Sequence, residues 1–121
     1  MTKTDNGMEF PAEAYLVVPD PDKPSTWKLR IWETPEQKVT VAQLGRAAAA
    51  LGPGFRGNRV DLPPEERRRA ARELIRLYRQ QGVDDADIPE YLWSIAGMRP
   101  SFSEEYVERD AMLFEAGEYP D

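Results

Sequence analysis

Three features of the sequence predict an α+β fold: a single domain in which a small two-stranded antiparallel β element is covered by three to four helices. Residues 14–18 form a run of β-formers, separated by a proline-rich break from residues 27–33, whose apolar side chains alternate. Residues 63–82 carry apolar residues at helical spacing beneath a face rich in arginine. Shorter segments on either side of this helix are also periodic and end in glycine. At 121 residues the chain can bury one modest core, so one domain is expected.

The elements follow in chain order. The first residues are polar, and 1–9 are expected to be a disordered tail ahead of a globular module over 10–109. Ala14-Tyr15-Leu16-Val17-Val18 is the first strand, and Pro19, Pro21 and Pro24 then break regular structure by fixing φ and removing donors. In the second strand Trp27, Leu29 and Ile31 share one face, while Lys28 and Arg30 take the other. Trp27 and Trp32 read more simply as core aromatics than as a base-stacking platform. Thr40 is placed to cap a helix over 41–51, with Val41, Leu44, Ala48 and Leu51 on its buried stripe.

The sequence Gly54-Phe55-Arg56-Gly57-Asn58-Arg59 is expected to be a turn with Phe55 buried and both arginines outside. Its GxxG spacing matches neither the tight interhelical loop of KH domains nor a P-loop. In the long helix, Pro63 and Pro64 suit a first turn, Glu65 and Glu66 meet the positive end of the dipole, and Gly82 supplies the stop. Ala70, Ala71, Leu74, Leu77 and Tyr78 make its core stripe, with Ile75 at the border. Arg69, Arg72, Arg76 and Arg79 project the other way, and Arg67 is expected to snorkel towards the apolar side. Glu65 with Arg69 and Glu73 with Arg76 have helical ion-pair spacing. Asp87 is expected to cap a helix over 88–96, and Ser101-x-x-Glu104 is a capping box for another over 102–109. Residues 110–121 are expected to be a linker or the start of a following domain.

Charge is distributed unevenly: residues 38–82 carry +6 and residues 83–121 carry −9, within a net −6. The economical reading is that the acidic third lies near the arginine face. The chain has neither cysteine nor histidine, which removes disulfides, thiolate nucleophiles, Ser-His-Asp triads and every histidine or cysteine metal site. No motif places a carboxylate for catalysis, and no cofactor or metal is expected. No apolar run reaches the length of a membrane span, and the polar N-terminus has no signal-peptide apolar region, so membrane partners are not expected.

The segments Phe10-Pro11, Trp27-Lys28-Leu29, Gly54-Phe55-Arg56-Gly57-Asn58 and LPPEERRRAARELIRLYR resemble a small module of tailed-phage and prophage structural proteins. Such modules stand beside head-maturation (prohead) proteases and Mu-like prophage protease or scaffold regions. Leu113-Phe114-Glu115-Ala116-Gly117-Glu118-Tyr119-Pro120-Asp121 looks like the opening of the protease-like region that follows them. No catalytic residue carries over. The resemblance implies a non-catalytic accessory module, located in the host cytoplasm or the virion, that contacts capsid, scaffold or protease proteins. Arg56, Arg59, Arg69, Arg72 and Arg76 are the candidate partner-binding residues. Two alternatives stay open: nucleic-acid binding through the same arginines, and an acidic inhibitor whose −9 third mimics nucleic acid.

Overall fold

The computed structural model describes residues 1–52 and 60–101. In chain order these form β1 (Thr2–Asp5), β2 (Met8–Pro11), β3 (Tyr15–Val17), β4 (Lys28–Arg30), α1 (Val41–Leu51), α2 (Pro64–Gln80) and α3 (Glu90–Ala96). The strands make two separate antiparallel pairs, β1 with β2 and β3 with β4. The α+β architecture read from the sequence is the one observed, with one more β pair than expected. The Gly54–Arg59 turn and the helix expected over 102–109 lie outside the described residues.

The additional pair corrects the reading of residues 1–9 as a disordered tail. Thr2 pairs with Pro11 and Asp5 with Met8, leaving Asn6 and Gly7 as a two-residue loop. Both loop residues have positive φ, 55° and 78°. That conformation suits Asn-Gly and matches the twist of the strands it joins. Polar strands conceal this hairpin from any search for apolar periodicity. It is held to the core from one side: Phe10 is fully buried, and the Lys3 ammonium donates to the Trp27 carbonyl at 2.7 Å.

The proline-rich connection between β3 and β4 is a folded turn. The Asp20 carbonyl accepts from the Lys23 amide at 3.0 Å and from Trp27 Nε1 at 2.9 Å. The indole polar group is thereby satisfied inside the core, as burial demands. Phe10, Tyr15 and Trp27 form an aromatic row, with Phe10 and Tyr15 edge to face at 6.4 Å. Arg30, expected on the outer face, instead lays its guanidinium over the Phe10 ring at 4.6 Å, with an Asp5 carboxylate oxygen 4.0 Å away. The alternation itself holds, with Trp27, Leu29 and Ile31 buried and Lys28 exposed; Arg30 is covered on its own face by the N-terminal hairpin, and Leu29 takes a positive φ of 63° within the short β4.

The helices cap largely as their sequences indicate. Thr40 Oγ1 accepts from the Gln43 amide at 3.1 Å at the start of α1. Helix α2 begins at Pro64 and buries Ala70, Ala71, Leu74, Ile75, Leu77 and Tyr78. Asp87 does not cap α3: Asp85–Asp87 form a 3-10 turn, Ile88 is extended, and Pro89 precedes the helix. Pro89 is the reason: the residue before a proline is pushed out of the α region, so Ile88 is extended and the helix cannot begin ahead of Pro89. Gly97, at φ 69°, ends α3 in the left-handed conformation.

The seam between α1 and α3 is tight at Gly52, where a Cβ would overlap two ring carbons of the Tyr91 side chain. Gly52→Ala should therefore destabilise the protein by about 1–3 kcal/mol through overpacking. A urea denaturation midpoint equal to that of the parent would show that the Tyr91 ring moves aside freely.

Candidate functional site

Every arginine in the C-terminal two-thirds of α2 lies on its exposed side, but the fold uses them differently. Arg72 Nε donates to the Ala96 carbonyl at 2.9 Å, the last residue of α3. Arg79 grips Asp85 with two hydrogen bonds, 2.9 and 2.8 Å, and lies 5.4 Å from the centre of the Trp93 ring. Arg76 pairs with Glu73, as their spacing indicates. The second spaced pair, Glu65 with Arg69, is not among the ion pairs formed. Arg69 is exposed and makes no ion pair or side-chain hydrogen bond among the described residues. Arg56 and Arg59 lie outside the described residues.

Arg67 goes further than the snorkelling expected of it. Its guanidinium donates to the Leu51 carbonyl, the last residue of α1, and to the Val60 carbonyl at 2.7 Å. A helix C-terminus has carbonyls without intrahelical partners and carries partial negative charge. Arg67 and Arg72 thus answer the same need at two helices.

Of the sequence-predicted residues, Arg69 and Arg76 come together at a groove of about 700 Å³ between α2 and β3. Its helical wall is a single stripe: Glu66, Arg69, Ala70, Glu73, Arg76 and Leu77. Its other wall is Tyr15, Leu16, Val17, Val18 and Pro19, with Glu13 and Ile31 completing the lining. The lip therefore alternates carboxylate and guanidinium above an apolar floor. Hydrogen bonds from Arg76 hold the Glu73 carboxyl below its ordinary pKa, so that side chain is anionic at neutral pH. On the floor, burial and then the neighbouring Asp5 charge push the Tyr15 phenol well above its usual value, so it stays protonated and donates to Asp5 Oδ2 at 3.2 Å.

The groove's strand wall was not singled out from the sequence. The available signal was the continuous apolar run Leu16-Val17-Val18, where a strand covered on one face would alternate. The acidic third does approach the arginine face at one described point, the Arg79–Asp85 pair. Among the described residues no group of three or more acidic side chains could hold a metal ion, and no helix is long and apolar enough to cross a membrane. Compared with protein-family models, curated proteins and solved structures, the chain matches none.

Two outcomes follow from the arginine contacts. Arg72→Met keeps the stem but removes the donor to Ala96, and should lower stability by about 1 kcal/mol; an unchanged urea midpoint would assign that contact no weight. For Asp85, the hydrogen bonds from Arg79 come first in holding its carboxyl below the ordinary value. Its contribution to stability is therefore complete above the unfolded aspartate pKa, about 4, and is lost as pH falls through the lowered folded value. Asp85→Asn should flatten the acid limb of the stability curve relative to the parent, and superimposable limbs would contradict the pairing.

Proposed function

We propose that this chain is a non-catalytic protein-interaction module that presents the α2–β3 groove to a partner protein. One observation carries the reading: the guanidinium groups at the groove are interleaved with Glu66 and Glu73 over an apolar floor. A polyanion backbone is bound by a run of uncompensated cations, which release counterions on contact. An alternating lip above apolar surface suits another polypeptide, whose charges alternate as well and whose side chains fill the floor. Arg72 and Arg79, which would extend a basic stripe for nucleic acid, are engaged by Ala96 and Asp85. The partner-facing set on α2 is therefore Arg69 and Arg76.

The partner class comes from the resemblance carried by Phe10-Pro11, Trp27-Lys28-Leu29 and the α2 sequence. On that basis the module works beside capsid, scaffold or head-protease proteins of a tailed phage, in the host cytoplasm or the virion.

The test is retention of purified phage capsid, scaffold and protease proteins on the immobilised chain, with a parallel titration of single- and double-stranded DNA at two salt concentrations. Retention that is lost in Arg69→Glu but kept in Arg72→Met supports the reading. DNA affinity that falls steeply with salt, without retention of any of these proteins, would replace it with a nucleic-acid-binding function.

A further inference from the structure

Strand β3 pairs with β4 on one side only, and no strand of the described residues occupies its other side. The flank of β4 is different. There α1 packs against the strand, and the Gln43 side-chain amide donates to the Arg30 carbonyl at 2.9 Å. The sheet is thus closed at β4 and open at β3.

The groove runs along this open side. Its wall on this side is the whole of β3, Tyr15 to Val17, continued by Val18 and Pro19 beyond the strand. Alternate side chains of a strand point to opposite faces, so a groove touched by all three strand residues in turn follows the strand's edge. An edge presents backbone N–H and C=O groups in a row and is a template for a further strand. Outside the β3–β4 ladder, no backbone hydrogen bond of Leu16, Val17 or Val18 is formed among the described residues. The opposite wall of the groove is a helix, which fixes the width available to whatever lies against the edge.

We infer, resting on the protein-interaction reading above, that the β3 edge takes an extended segment of a partner protein as an added antiparallel or parallel strand. The segment is apolar where its side chains meet Leu16, Val18 and Leu77, and carries a carboxylate for Arg69. Charge complementarity selects this chemistry. Glu66 and Glu73 repel an acidic run, Arg76 is already satisfied by Glu73, and Arg69 is the groove cation without a carboxylate among the described residues. One acidic residue within an otherwise apolar stretch meets both conditions. Main-chain hydrogen bonds supply affinity in this mode, and the flanking side-chain contacts supply specificity.

The experiment is selection of a displayed library of random linear peptides on the full chain, followed by affinity measurement on the enriched peptides by fluorescence anisotropy. Strand addition predicts enrichment of alternating apolar residues with an acidic one. It predicts that N-methylation of every second backbone amide abolishes binding while methylation of the intervening amides leaves it intact. It also predicts slowed amide exchange within Leu16, Val17 and Val18 on binding, and a loss of at least about tenfold in affinity in Arg69→Gln.

Failure to enrich any peptide would overturn the inference, as would binding that tolerates N-methylation at every position. Self-association of the chain that peptide cannot displace would also overturn it, by placing a second copy at the edge. Methylation-tolerant peptides that still protect residues 16–18 would remove strand addition alone. Absence of phage-protein retention by the parent chain in the preceding experiment is what removes the interaction reading.

Discussion

The structure depends on the requirement that carbonyls at a helix C-terminus find donors. Helix α2 meets it for both of its neighbours. Its buried stripe holds it against the core, which leaves two guanidinium groups able to reach sideways, Arg67 to the end of α1 and Arg72 to the end of α3. Each is a charge-assisted hydrogen bond to a group that carries partial negative charge. The three helices are thereby fixed in relative position by the longest of them. This accounts for arginine where a purely solvated helix face would be served by lysine: the planar fork spans a gap and keeps its geometry.

The same packing determines where the surface is left open. With α1 against β4, the small sheet is covered at one side, and α2 runs past its other side without closing it. The space that remains is bounded by a strand edge and by the charged flank of a helix. Its strand wall is apolar because Leu16, Val17 and Val18 are only partly buried by the chain's own elements. The N-terminal hairpin makes the arrangement rigid from below. Lys3 is anchored to Trp27, the Tyr15 hydroxyl to Asp5, and Arg30 is stacked on Phe10, so the base of β3 is held by contacts on its far face.

Much of the fold was legible in local sequence. The α1 boundaries followed from Thr40 and Gly52, the α2 boundaries from Pro64 and Gly82, and the end of α3 from Gly97. Each of these residues acts through its own backbone or cap chemistry. The N-terminal hairpin was written in Asn6-Gly7 too, but a turn signal between polar strands has no apolar pattern to confirm it. The candidate site was legible in part. Spacing placed Arg69 and Arg76 on an outward face beside Glu73, whereas nothing local distinguished them from Arg72, which lies on the same side of the helix.

By itself, then, the sequence determined the class of fold, the central helix and its buried stripe, and the absence of histidine and cysteine chemistry, because composition, periodicity and capping act over a few residues. Tertiary structure decided which arginines are consumed by helix ends, which groove arginine is left without a carboxylate among the described residues, and which strand edge is open. Those outcomes depend on how Leu51 meets Arg67, Ala96 meets Arg72 and residues 15–19 face Arg69 across long stretches of chain, and packing alone brings each pair within reach.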